Sequence, residues 1–419
     1  MSVKLSLAGT RRGSGFLRAP PEGPLPWLRR VAHWFEAQHG ELLESTGLDA
    51  GPLGTPMLRL RLHPAASEVS FVATSGAHVS VSAETSAVGP GYHLFLCDAL
   101  KSLGIALGID WADSDTSAKP GDPTGYFHTG DADPVDVHML ASLQESVGQV
   151  LRMRRLGESG FALSMRLGHT FDYPGALLTP LGPRDARWLR DVYEDPRRGI
   201  DVFPWWTPGL HARTRLNRAR CRLWTDVIWR PPLLEDERRL LRDVARLLEQ
   251  GWREDPELPY PWREWQEVLG FLGVGGTLAE EVHRRASAAP GGPPIGYRRG
   301  EVQVSLPEGW EIRIPGSLAE THLQDGTWVA RDHRRSVRFV PLMDGGADSF
   351  AERRALDLEH RGERVSGRAS LRVEPGECRL TALCTSGKRR ALCVVSFDDP
   401  EEQDWALGTW RSLDHAAAA

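Results

Sequence analysis

At Ala286-Ser287-Ala288-Ala289-Pro290-Gly291-Gly292-Pro293-Pro294-Ile295-Gly296 the hydrophobic pattern of this chain changes its period. From about 183 up to this stretch, apolar residues recur at helical spacing; after it they alternate as strands do. A segment so rich in Pro, Gly and Ala has no apolar face to bury, so it reads as a linker. The helical side is clearest over 233–250. There Leu233, Leu240, Leu241, Val244, Leu247 and Leu248 share one stripe, and Glu235, Asp236 and Glu237 occupy the first turn, where the helix dipole favours anions. Further helices are expected over 184–193, 208–229 and 260–271. Beyond the linker, strands are expected over 302–306, 310–314, 327–331, 336–341, 369–373, 378–384 and 390–397. Two helices are expected among them, at about 349–360 and 400–412.

Toward the N-terminus the signals are mixed. The first 25 residues are rich in Gly, Arg and Pro and are expected to meander over the surface. A helix over 26–44 carries Leu28, Val31, Ala32, Phe35 and Leu42 at helical spacing. Three strands follow over 57–62, 68–73 and 78–83, the last two joined by Thr74-Ser75-Gly76. Val69, Phe71 and Ala73 alternate along one of them, as in a half-exposed antiparallel sheet. A helix over 92–107 buries Phe95, Leu96, Leu100, Leu103 and Leu107. After an Asp-rich loop at 110–133, Pro134 opens another helix to about 156. A strand is expected over 160–167.

The expected class is therefore α+β. Residues 1–180 hold a small antiparallel sheet with helices, and 181–285 a helical, Trp-rich middle that can form one unit with it. Residues 286–296 are the linker, 297–413 an antiparallel-sheet domain with flanking helices, and 414–419 a tail.

The C-terminal region opens its meander with Leu306-Pro307-Glu308-Gly309-Trp310 and closes on a helix ending Trp410-Arg411-Ser412-Leu413. In this order of elements it resembles the Mog1/PsbP-like fold over about 295–413. The resemblance implies a binding or assembly module rather than an enzyme, and it supplies no catalytic residue.

Composition removes several functions. With 41% hydrophobic and 26% charged residues in 419, the chain is ordinary globular material for two or three domains. Its 51 basic and 56 acidic residues leave a net charge of −5, and 295–413 carries 18 and 19 of them. Neither half has the basic excess that bulk nucleic-acid binding needs. Four Lys against 47 Arg fits a compositional bias that also gives 43 Gly and 30 Pro. Cys97, Cys221, Cys378, Cys384 and Cys393 form no CxxC pair, so reduced core thiols are expected rather than disulfides or zinc fingers. Arg11-Arg12 is followed by no apolar region, and no apolar run reaches 18 residues. A soluble, cytoplasmic protein without cofactor or metal is expected.

Four strings carry candidate chemistry. The first is Glu84-Thr85-Ser86-Ala87-Val88-Gly89-Pro90-Gly91-Tyr92-His93, between a strand and a helix. Ser86 and His93 are a nucleophile and base by type, with Asp98 as orienting partner, and amides near Gly89 and Gly91 could hold an anion beside Tyr92. It is neither a G-x-S-x-G elbow nor a P-loop. The plainer reading is a turn that needs Gly for its backbone, with Tyr92 and His93 packed over it. The second string, Asp122-Pro123-Thr124-Gly125-Tyr126-Phe127-His128 with Asp131, Asp133, Asp136 and His138, matches no metal-ligand spacing and reads as a loop that caps the next helix. The third is tryptophan: seven of 15 lie between 205 and 265. Most read as core, but Trp205 and Trp206 follow Phe203-Pro204 and are expected to be an exposed aromatic anchor. The fourth is the arginine run Arg213, Arg215, Arg218, Arg220 and Arg222. Arg215, Arg218 and Arg222 share a face that either binds an anion or pairs with Glu235 to Glu237.

Together these features favour a non-enzymatic, bacterial-type cytoplasmic component that binds another protein: an adaptor, chaperone or immunity-type subunit. The alternatives are a hydrolase or transferase built on Ser86 and His93, and a nucleotide or RNA sensor working through the arginine helix at 213–222. A small-molecule ligand stays compatible with all three, and no membrane association is expected.

Overall fold

The computed structural model describes residues 3–12, 23–51, 54–74, 77–112, 121–156, 160–163, 165, 169–171, 173, 176–342, 356–374 and 376–415. They form helices and antiparallel sheets, an α+β architecture. Contacts group the chain into two compact units. The first comprises Met1–Arg166, Tyr173–Arg222 and Arg246–Pro261; the second comprises Leu167–Asp172, Leu223–Ala245 and Trp262–Ala419. The stretch 286–296 therefore falls inside the second unit rather than between the two.

The first unit is built on a six-stranded sheet. Its strands are β1 (Lys4–Arg11), β2 (Ser45–Ala50), β3 (Pro56–Arg61), β4 (Val69–Ala73), β5 (His78–Glu84) and β6 (Ile109–Trp111), in the order β2-β3-β4-β5-β1-β6. Register puts Leu5 opposite Ala83, Leu7 and Phe71 opposite Val81, and Leu58 opposite Phe71. Because side chains alternate faces along a strand, these residues collect on one side. Trp27, Leu28, Val31 and Phe35 of α1 (Pro24–His39) and Tyr92, Leu96, Leu100 and Leu103 of α2 (Pro90–Leu107) complete that core.

The expectation that the first 25 residues meander is corrected here, because Lys4–Arg11 is an inner strand. Its apolar alternation stops after Leu5 and Leu7. Gly9 then stands where a Cβ would meet Ile109 Cγ2 at 2.8 Å. Crowding from β6 thus puts a residue of low strand propensity in the middle of a sheet.

The same unit holds α3 (Tyr126–Thr129), α4 (Asp133–Arg155), α5 (Ala186–Glu194) and a 3-10 turn, Pro196–Val202. Met139, Leu143 and Val147 of α4 pack with Leu189 and Val192 of α5 and with Val202 and Phe203. The strand expected over 160–167 lies partly outside the described residues, and of the rest only Ala162 forms a bridge, to Leu178. Helices α6 (Ala212–Thr225) and α7 (Glu235–Glu254) each contribute residues to both units.

The second unit contains α8 (Trp262–Leu272) and α9 (Thr277–Ala288) and two antiparallel sheets. The smaller joins β7 (His169–Phe171), β8 (Glu301–Ser305), β9 (Trp310–Pro315) and β17 (Asp414–His415) in the order β17-β9-β8-β7. The larger holds β10 (Ala319–His322), β11 (Trp328–Arg331), β12 (Arg335–Leu342), β13 (Leu358–Arg361), β14 (Ser366–Glu374), β15 (Glu377–Ser386) and β16 (Arg389–Phe397). Their order is β10-β11-β12-β16-β15-β14-β13. Buried Val337, Phe339, Leu380, Ala382, Cys393 and Val395 alternate along its central strands.

All seven strands expected after 296 are present near their expected bounds, as is the closing helix α10 (Gln403–Arg411). Of the helix expected over 349–360, residues 349–355 lie outside the described ones and 358–360 belong to strand β13 instead. All five cysteines are free and buried. Among the described residues no helix is long and apolar enough to cross a membrane.

Candidate functional site

The turn from β5 into α2 brings His93 into a buried polar cluster. His93 stands in the first turn of α2 and is fully buried. Thr85, at the end of β5, places its hydroxyl oxygen 2.9 Å from His93 Nδ1 and 3.2 Å from the Val3 carbonyl. Around Nε2 stand Thr124 Oγ1 at 3.1 Å, Asp122 Oδ1 at 3.3 Å and Cys97 Sγ at 3.6 Å. Cys97 is one helical turn after His93, so the two share a face of α2. Asp122 accepts from the Thr124 hydroxyl at 2.8 Å and from the amides of Thr124 at 2.9 Å and Phe127 at 2.8 Å. Burial works against the Asp122 carboxylate, but the hydrogen bonds from His93, the Phe127 amide and Thr124 outweigh it and hold the carboxyl below its ordinary range. Burial, and then the Asp122 charge, push the Cys97 thiol well up, so it is no ready nucleophile. His93, Cys97 and Asp122 each offer a ligand atom within 4.8 Å of the others, a group that could hold a metal ion.

This cluster joins the first two candidate strings, whose proximity the sequence could not give, but through other residues than expected. The structure brings His93 to Thr85 and Thr124 rather than to Ser86, whose hydroxyl donates to Glu84 at 3.3 Å. Asp98 turns outward and accepts from the Tyr126 hydroxyl at 3.1 Å. The amides assigned to an anion are already engaged. Gly89 N–H donates to the Thr85 carbonyl, and Gly91 N–H to the carbonyls of Trp205 and Trp206 at 3.1 and 2.9 Å. A Cβ at Gly91 would stand 2.5 Å from the Thr207 carbonyl oxygen, and at Gly89 2.8 Å from that of Trp205. These glycines admit the 203–207 backbone, so the turn-geometry reading accounts for them. Tyr92 is fully buried against Trp205 and His63.

Trp205 is corrected from an exposed anchor to a core residue. It is 1% exposed and stacks on Phe95 at 5.3 Å. Trp206 alone of the pair reaches the surface, half-buried and packed on Phe203. The arginine face also has partners, though not Glu235 to Glu237. Arg218 and Arg222 both bind the buried carboxylate of Glu44, and Arg218 donates as well to the carbonyls of Glu41 and Leu42 at 3.0 and 2.9 Å. Arg215 pairs with Glu254. For Arg218 and Arg222 the acid is Glu44, just before β2, instead of one at the start of the next helix.

On another side of the same helix lies a cavity of about 440 Å³, within the range of small-molecule sites. Arg197 and Arg198 of the 3-10 turn and Arg213 and Arg220 of α6 line it, with Trp206 and His211. Asp201, its one acid, is engaged by Arg184 at 3.0 Å. The first turn of α6 has no acidic residue and carries Arg213, so a side-chain cation adds to the positive end of the helix dipole. Of the expected aromatic pair Trp206 lines this cavity, and of the arginine run Arg213 and Arg220 do, rather than Arg215, Arg218 and Arg222. A recess of about 690 Å³ beside Arg152, Arg154, Arg155 and Arg190 differs in kind. Three of those arginines lie in the last turn of α4, where the dipole itself favours cations.

Comparison with known proteins adds no relative: no family model matches the chain, and no curated protein matches it significantly.

Proposed function

We propose that the chain is a non-enzymatic binding protein whose ligand is a small phosphate-bearing molecule with a planar ring, of nucleotide size, held in the cavity between the 3-10 turn and α6. The observation that carries this reading is the lining of that cavity: the guanidinium groups of Arg197 and Arg213 beside Arg220 and Arg198, the last paired with Asp195 at 3.8 Å, one already-paired acid, the N-terminal turn of a helix, and one half-buried indole. Guanidinium groups match phosphate oxygens bidentately, and an indole offers a face on which a base stacks. A protein partner docked on Trp205 and Trp206 loses support with Trp205 in the core. A Ser86 hydrolase loses it with Ser86 on Glu84 and both ring nitrogens of His93 engaged.

Calorimetric titration with nucleoside mono- and triphosphates tests the proposal. Binding at one site per chain is expected, weakened by added salt as phosphate contacts require. Arg213→Ala removes one charge-assisted contact worth roughly 1.5–3 kcal/mol, and so lowers affinity by about 10- to 150-fold. No heat of binding across the series, or wild-type affinity in Arg213→Ala, overturns it.

A further inference from the structure

We propose that His93, Cys97 and Asp122 form a structural metal site of zinc-type chemistry, with Nε2, Sγ and Oδ1 ligating one divalent ion and α2 thereby pinned to the 121–127 loop. The donor set is imidazole, thiolate and carboxylate, which suits zinc better than calcium or magnesium. The two separations from His93 Nε2 also fit. Tetrahedral zinc, with bonds of about 2.0–2.1 Å to N and O and about 2.3 Å to S, sets N and O roughly 3.3 Å apart and N and S roughly 3.6 Å apart. Here Asp122 Oδ1 is 3.3 Å and Cys97 Sγ 3.6 Å from His93 Nε2. Thr124 Oγ1, 3.1 Å from Nε2, donates to Oδ1 at 2.8 Å and so orients the carboxylate beside the imidazole.

Without an ion, His93 Nε2–H donates to Asp122; the other tautomer frees Nε2 to ligate. The Thr85 hydroxyl has one hydrogen. Donated to the Val3 carbonyl at 3.2 Å, it leaves Oγ1 to accept from His93 Nδ1–H at 2.9 Å. Such a bond to the far nitrogen is how a ligating imidazole is usually oriented. The Nε2 lone pair then faces inward. The Thr124 hydrogen goes to Asp122 Oδ1, which fixes the carboxylate beside Nε2. Full burial also suits a structural ion, which needs no open coordination position and loads as the chain folds. On binding, the Cys97 S–H proton leaves to solvent and the thiolate takes its place on the metal.

The test is metal analysis of the full chain expressed in medium supplemented with Zn²⁺ or with Co²⁺, together with the absorption spectrum of the cobalt form. The expected result is one equivalent of metal per chain and a thiolate-to-cobalt charge-transfer band. That band disappears in Cys97→Ala while the other four cysteines remain. Asp122→Asn is expected to lower the metal content at least tenfold. Wild-type protein that is folded but carries only trace metal and no charge-transfer band overturns the proposal. Because that reading is made on the wild-type chain, a variant that fails to fold does not affect it.

Discussion

Glu44 sets the terms at the scale of single residues. Its buried carboxylate accepts from Arg218 and Arg222, so removing its charge takes a counter-ion from two buried guanidinium groups. Glu44→Gln is therefore expected to destabilise the first unit by roughly 3–5 kcal/mol, read as a lower denaturation midpoint; an unchanged midpoint would mean the arginines find water instead. Burial raises the Glu44 carboxyl, but the two arginines outweigh it and hold it below its ordinary 4.5. The group then adds stability that is complete above pH 4.5 and lost as pH falls through the lower folded value. Acid unfolding monitored by tryptophan fluorescence should begin below that pH, and Glu44→Gln should flatten the dependence there. The arginine spacing on 213–222 was readable, since three and four residues make one helical face. The partner was not, because Glu44 lies 174 residues away and nothing local marks it as buried.

Among elements, the turn from β5 to α2 depends on how closely the 203–207 segment approaches it. Gly91→Ala puts a methyl 2.5 Å from both the Thr207 carbonyl oxygen and Trp205 Cδ1. Backbone atoms cannot rotate away, so a cost of about 1–3 kcal/mol is expected in chemical denaturation. The same shift moves Trp206 and Thr207, so phosphate-ligand affinity should fall with it. A Gly91→Ala protein as stable as wild type would show that the segment yields freely. Strands β4 and β5 were legible because Val69, Phe71, Ala73, Val79 and Val81 alternate against serines. Strand β2 was not, since nearly all its residues are exposed and no apolar face repeats. Of the Thr85–His93–Asp122 cluster only His93 was legible, by residue type; its partners depend on how a loop returns to α2, which no periodicity encodes.

At the scale of the molecule, neither compact unit is continuous in sequence. The second draws β7 from 169–171 and part of two helices from 223–245, and Tyr297 packs on Phe171 at 5.1 Å and Trp224 at 4.8 Å. Arg298 reaches Glu320, which also binds His169. A fragment of residues 297–415 lacks β7, Trp224 and His169, so it is expected to be rapidly cleaved by protease where the full chain resists. Protease resistance equal to that of the full chain would restore 286–296 as a true boundary. The change of period at 286–296 correctly marked where strands begin, because alternation is local; which earlier segments pack with those strands is not a local property. The most direct test of the proposed function is a crystal structure of the full chain with the tightest-binding nucleoside phosphate from the titration. Phosphate oxygens within about 3 Å of the Arg213 or Arg197 guanidinium, with the base against Trp206, are the predicted result. A nucleotide bound elsewhere, with the cavity beside α6 left to solvent, would contradict it.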